Sequence, residues 1–264
     1  MLDVSGLNVT YETVAGKKIH AVQGVNLSVQ DGEFITIIGP SGCGKSTLLH
    51  CMGGLLRPTQ GTMMCNSVKV DKPDPNQYAF VFQDYSLFPW RTVVDNAAIG
   101  LQFAGVRRHE RRQRALEQLR LVGLDKSAQS FPGELSGGMQ QRVAVARALT
   151  MNPSILLMDE PFGALDEQSR RRLAIQMSRL LTEVRKTVIM VTHSLDEAIF
   201  WGDRVVVMGR SPGHIKEIIE VQDPRPRSAE FMTSAPFDSL RTRLFGLLDV
   251  AGEGDANSSD MTGV

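Results

Sequence analysis

Two segments of the chain hold residues that could grip and split a phosphoanhydride. Gly39-Pro40-Ser41-Gly42-Cys43-Gly44-Lys45-Ser46-Thr47 has the spacing G-x-x-x-x-G-K-[ST] and follows the apolar run Phe34-Ile35-Thr36-Ile37-Ile38. In that strand-to-helix context such a loop wraps the phosphates of a nucleotide. The glycines let several backbone N–H groups turn toward one anion, and the helix expected from Gly44 onward adds its positive end. Lys45 is placed to reach the β- and γ-phosphates, and Ser46 to set its hydroxyl on Mg2+. Downstream, Asp159-Glu160 closes the apolar run Ile155-Leu156-Leu157-Met158. Two carboxylates there are costly unless a cation or hydrogen-bond donors meet them. Alone, the pair could be an ordinary strand-end turn; with the phosphate loop upstream, the chemical reading is the better one. Cys43 sits beside a helix N-terminus, which predicts a lowered thiol pKa, inhibition by small alkylating reagents and protection by ATP.

The elements that must hold these residues can be read from periodicity. Short β-like runs fill residues 4–29, and residues 34–38 form a buried strand bounded by glycines. A helix is expected from Gly44 to about Gly53. Further strands are expected at residues 62–70 and 78–82, separated by Lys72-Pro73-Asp74-Pro75-Asn76. From 85 to 149 the pattern is helical, with Ala115, Leu119 and Val122 on one face of a helix over 111–122. Strands at 154–158, 187–191 and 204–208 then alternate with helical stretches such as 168–184. Such alternation implies a mostly parallel sheet covered on both faces. Residues 251–264, rich in Gly, Ser and Asp, are predicted to be disordered.

Bulk properties narrow the classes. Lys+Arg and Asp+Glu are equal at 29 each, so no net field attracts nucleic acid. The basic stretch Arg107 to Arg114 reads first as a solvated helix start, with contact to a partner or lipid headgroups as the sharper alternative. No uncharged apolar stretch approaches the roughly 20 residues needed to cross a bilayer, and the first residues have no secretory pattern. Cys43, Cys51 and Cys65 are odd in number and lack metal-ligand spacing, which fits a reducing compartment.

Between the two phosphate segments lies Leu135-Ser136-Gly137-Gly138-Met139-Gln140-Gln141-Arg142, and with it the chain resembles the ATP-binding cassette family from about Leu2 to Val221. The resemblance implies an α/β fold: a P-loop NTPase core with a mostly parallel sheet, an N-terminal antiparallel β subdomain and a helical subdomain at about 85–149. It makes 1–221 the ATP-binding domain and 222–250 a C-terminal extension. It gives Asp159 a Mg2+ role through water and makes Glu160 the general base. Gln83 would contact Mg2+ and the attacking water, and His193 the γ-phosphate. Tyr11 would lie under adenine, though a half-buried strand tyrosine is an equal reading. Asp166 would couple the two sites of a dimer, or cap a helix. Ser136, Gly137 and Gly138, ahead of a helix expected near Met139, would bind the γ-phosphate of ATP held by a second copy.

Finer wording, including Leu87-Phe88-Pro89-Trp90-Arg91-Thr92 and Ser211-Pro212-Gly213-His214, resembles the nitrate/sulfonate/taurine importer group. One cassette without a fused span implies docking on two separate membrane-spanning permease subunits at the cytoplasmic face of the inner membrane. An extracytoplasmic binding protein would take part indirectly. Phe88, Pro89 and Trp90 then read as partner contacts rather than helical-subdomain core. The rival class is a soluble cassette ATPase of DNA repair or translation; the long coiled-coil insertions or second cassette expected of it are missing from the sequence. An exporter subunit is set aside on the resemblance alone.

Overall fold

The computed structural model describes residues 2–163, 167–210 and 212–249. Strands β1 (Leu2–Glu12) and β2 (Lys18–Val29) form a long hairpin; β3 (Phe34–Ile38) leads into helix α1 (Lys45–Met52). After β4 (Gln60–Cys65), β5 (Val68–Lys69) and β6 (Tyr78–Val81) come α2 (Val93–Ala97), α3 (Ile99–Phe103), α4 (Arg108–Leu121) and α5 (Gly137–Thr150). The chain continues through β7 (Ile155–Asp159), α6 (Glu167–Glu183), β8 (Thr187–Val191), α7 (Leu195–Trp201), β9 (Arg204–Gly209), β10 (His214–Glu220) and α8 (Ala235–Asp249).

Two sheets organise these elements. β2-β1-β4-β5 is antiparallel, and β10-β9-β3-β8-β7-β6 is parallel except at its β10 edge. Because side chains alternate along a strand, the six-stranded sheet feeds two cores. Phe34, Leu156, Met158, Val188 and Met190 pack with α5, α7 and α8. Ile35, Ile37, Leu157, Ile189 and Val191 pack against α1 and the antiparallel sheet. This double burial is why β8 reads as an unbroken apolar run in the sequence. The segment 62–70 differs from its single-strand expectation: Asn66 and Ser67 both take positive φ, 48° and 65°, and turn the chain between β4 and β5. The helix expected from 111 starts three residues earlier.

The helical region is pinned by Asn96, which is fully buried. Its side chain accepts from Phe88 N–H and donates to the carbonyls of Phe88, Arg91 and Thr92. That holds the loop whose Trp90 stands 71 % exposed. In the C-terminal extension, which carried no expected element, α8 packs on α7 and β9, and Arg227 is buried beneath them.

Candidate functional site

The phosphate loop is shaped by close approaches that only glycine allows. A Cβ on Gly39 would meet Cys43 Sγ at 2.6 Å, and one on Gly44, at φ +90°, would meet the Ala21 carbonyl at 2.7 Å. The loop opens into a cavity of about 580 Å³ lined by Tyr11, Ser41, Lys45, Ser46, Thr47, Glu160 and His193 together with Ala21, Gly39, Gly42 and Gly44. Lys45 is buried, and its Nζ donates to the carbonyls of Gly39 at 2.9 Å and Pro40 at 3.1 Å. The amine is thereby held inside the loop, ready to exchange neutral acceptors for anionic ones. Tyr11, 42 % exposed, lies at the rim with its hydroxyl 3.4 Å from Thr47 Oγ1.

β7 lies one strand away from β3, across β8, and brings its acidic end to the same rim. Ser46 Oγ donates to Asp159 Oδ1 at 3.0 Å. Burial pushes the Asp159 carboxyl above its ordinary pKa, with the Ser46 hydrogen bond and His50 opposing. A half-buried carboxylate facing a hydroxyl is a hard-oxygen pair of the kind that holds Mg2+ when phosphates supply the other ligands. Among the described residues no cluster of three or more His, Cys, Asp or Glu could hold a metal by itself.

Glu160 is held at φ +44°, a left-handed conformation unusual for a residue with a side chain. Its N–H donates to the Val191 carbonyl at 2.9 Å, and its own carbonyl accepts from Gly163 N–H at 3.1 Å. Between those anchors the carboxylate is turned toward β8. Glu160 Oε2 lies 3.2 Å from His193 Nδ1, and the His193 side chain is 57 % exposed. A carboxylate beside an exposed imidazole, both lining the same cavity as the phosphate loop, can activate water next to a bound phosphate.

Other expected residues lie elsewhere. Gln83 is exposed and sits over the turn after Glu160, where a Cβ on Gly163 would come 3.5 Å from its Nε2; it does not line the cavity. Ser136 caps α5, its Oγ accepting from Met139 N–H at 3.4 Å, and the helix starts at Gly137 rather than near Met139. Ser136, Gly137 and Gly138 are outside the cavity lining. Asp166 lies outside the described residues. The lowered pKa expected for Cys43 is not found: the thiol is 1 % exposed, packed under Gly39, and burial raises its pKa more than Lys45 lowers it. Desolvation of the thiolate outweighs the helix N-terminus. The sequence reading also passed over Ala21, whose backbone walls the loop, and the Thr192–Glu197 contact behind His193. The second had a visible signal, the capping spacing Ser194-x-x-Glu197.

The arrangement is that of a P-loop nucleotide hydrolase with a cassette-type acidic strand end and a histidine partner. The profile of the ABC transporter family matches residues 22–163. The chain is 46 % identical over 215 residues to the taurine import ATP-binding protein TauB of Rhizobium johnstonii, covering 81 % of this chain and 82 % of that protein. It is 44 % identical over 245 residues to the nitrate import ATP-binding protein NrtD of Synechococcus elongatus, covering 90 % and 88 %. Among solved structures it is similar to dimeric MJ0796, a bacterial ABC transporter cassette, with TM-score 0.74, 36 % identity, and coverage of 85 % of this chain and 100 % of that one. The chain belongs to the ABC transporter family. It is an ATP-binding cassette of that family.

Proposed function

We propose that this chain is the ATP-hydrolysing subunit of an importer for a small anion or organic acid such as nitrate, taurine or an alkanesulfonate. The observation that carries the catalytic part is the Glu160–His193 pair, 3.2 Å apart and facing the phosphate loop. Lys45 would pass its hydrogen bonds from the Gly39 and Pro40 carbonyls to the β- and γ-phosphates. Ser46 and Asp159 would hold Mg2+, with Gln83 reaching in from its loop, and the ion would neutralise charge on those phosphates. Glu160 takes the proton of the attacking water, and His193 orients that carboxylate while its other ring nitrogen addresses the γ-phosphate. Tyr11 offers an aromatic face at the rim for adenine, and base stacking of this kind is worth about 1–3 kcal/mol.

Two copies would enclose two ATP molecules, with Ser136, Gly137 and Gly138 of one closing on the γ-phosphate in the other and Asp166 linking the sites. The position of those three residues outside the cavity of their own chain supports this, as does the dimeric state of MJ0796. No helix among the described residues is long and apolar enough to cross a membrane. Two permease subunits would therefore anchor the dimer at the cytoplasmic face of the membrane, in contact with the loop that displays Trp90. An extracytoplasmic binding protein would deliver the solute. The names of TauB and NrtD support the solute class.

Glu160→Gln keeps the shape and removes the base, so hydrolysis is expected to fall about 10²- to 10⁴-fold while an ATP-bound dimer accumulates. Wild-type turnover in that variant refutes the reading. Growth of a deletion strain on nitrate, taurine or an alkanesulfonate as sole nitrogen or sulfur source identifies the solute.

A further inference from the structure

The His193 side chain stands 57 % exposed in the cavity, against 24 % for Glu160, while the residues on either side of it are both hydrogen-bonded through their backbone. Thr192, just before it, donates its N–H to the Ile37 carbonyl on β3 at 3.1 Å. Ser194, just after it, caps α7, and its Oγ accepts from Glu197 N–H at 3.3 Å. In an ordinary capping box the Glu at the third helical position would return the favour by accepting the Ser N–H. Here it does not. The Ser194 N–H donates to Thr192 Oγ1 at 3.1 Å, and that hydroxyl donates to Glu197 Oε2 at 2.5 Å. The threonine hydroxyl is inserted into the box, so the ring of hydrogen bonds runs around His193 on both sides instead of only after it.

The carboxylate that closes the ring is in an expensive place. Glu197 is nearly buried, and its side chain also lies 3.7 Å from Arg170 Nε on α6. Burial raises its pKa, with the Thr192 hydrogen bond and Arg170 opposing. A cap alone needs no buried charge, because Ser194 already satisfies the helix end. What the carboxylate adds is a short, strong acceptor for Thr192.

We infer that Glu197 is a positioning residue which, through Thr192 and Ser194, fixes where the His193 ring stands against Glu160. The inference rests on the role given to His193 above. An imidazole on a freely rotating exposed side chain loses its geometry unless its backbone is fixed, and displacement near 1 Å costs up to about a hundredfold in rate.

The experiment measures kcat and KM for ATP in the full chain. Glu197→Ala is expected to lower kcat about ten- to a hundredfold, with KM changed by less than about threefold. Glu197→Gln, which still accepts from Thr192, is expected to recover most of that loss. On a His193→Ala background Glu197→Ala is expected to add less than about twofold, because both act through one ring. The His193 ring 15N resonances are expected to move in Glu197→Ala. If Glu197→Ala does not fold, Thr192→Val removes the inserted hydroxyl at nearly constant volume and carries the same expectations. Losses that multiply on the His193→Ala background, or unmoved ring resonances, overturn the inference while leaving the site reading intact. Full activity in His193→Ala alone overturns the site reading and the inference with it.

Discussion

Arg227 tests how the C-terminal extension is joined to the catalytic sheet. Its side chain is 2 % exposed as a residue, and Nη1 donates to the carbonyls of Ile199, Phe200 and Gly202 at 2.9, 3.0 and 2.9 Å. Nε donates to the Asp223 carbonyl at 2.8 Å, and the guanidinium lies 5.3 Å over the Phe231 ring. Ile199 and Phe200 are in the last turn of α7, whose carbonyls have no partner within the helix. Burial pulls the guanidinium down to about 10, still charged at neutral pH. Arg227→Met keeps much of the bulk and removes every donor. Three buried carbonyls left unsatisfied cost about 1 kcal/mol each at the low end of the range, or about 3 kcal/mol together. Relief of the buried charge offsets part of this, so the net loss is about 2–3 kcal/mol. For a domain of this size each kcal/mol shifts Tm by about 2–4 °C, giving a fall of roughly 4–12 °C. Thermal unfolding followed by circular dichroism reads it directly, and Arg227→Lys should fall between the two. A Tm within about 2 °C of wild type for Arg227→Met refutes the account of Arg227 as the cap of α7.

Lys45→Ala should weaken ATP binding about ten- to a hundredfold, the loss of one or two charge-assisted hydrogen bonds, as measured by calorimetry; unchanged affinity counts against the assignment. Cys43 should resist iodoacetamide at pH 7.5 with or without ATP and become reactive only on unfolding, because the thiol is buried and its pKa raised. Mass mapping that finds Cys43 labelled in the native protein within minutes would sink that account. Asp159→Asn should raise the Tm of the nucleotide-free protein at neutral pH while hydrolysis is lost. The sign follows from the raised carboxyl pKa: the folded chain holds the proton more tightly than the unfolded one, so wild-type stability falls as pH rises through the folded pKa. The gain from Asn should therefore shrink as pH falls below that value, and a gain independent of pH contradicts it.

What could be read from the sequence was whatever local backbone rules dictate. The phosphate loop needs glycine at Gly39 and Gly44 because atoms of Cys43 and Ala21 leave no room for a Cβ, and such constraints leave letters at fixed spacing. β8 was legible over its whole length because it is buried on both faces. Cys43 was misjudged because the sequence shows its neighbours along the chain, Gly44 and Lys45, but not that Sγ packs under Gly39. The strand β10 and helix α8 were missed for a related reason. β10 alternates exposed and half-buried residues at a sheet edge, and α8 is held by ties to distant parts of the chain, among them Arg241 to Asp196 at 3.1 Å and Arg243 to Glu217. Nothing in either segment states its partner locally.

The two halves of the site also differ in how far one chain can finish them. Lys45, Ser46, Asp159 and Glu160 are held by contacts within the chain, some of them buried, that set the phosphate loop against the acidic strand end. The neighbours of His193, Thr192 and Ser194, are tied by hydrogen bonds, yet its ring stands open to solvent. Ser136 spends its hydroxyl on its own helix end, while Gly137 at that end is exposed. A base that activates water beside a terminal phosphate gains from a dry, enclosed surrounding, since fixed dipoles act more strongly there than in bulk water. The open imidazole of His193 and the open glycine helix start at Gly137 are surfaces of the kind that a second copy could cover. If Glu197 positions His193 as inferred, the imidazole would already stand in place when a second copy covers it, and closing the pocket would then complete the reactive geometry.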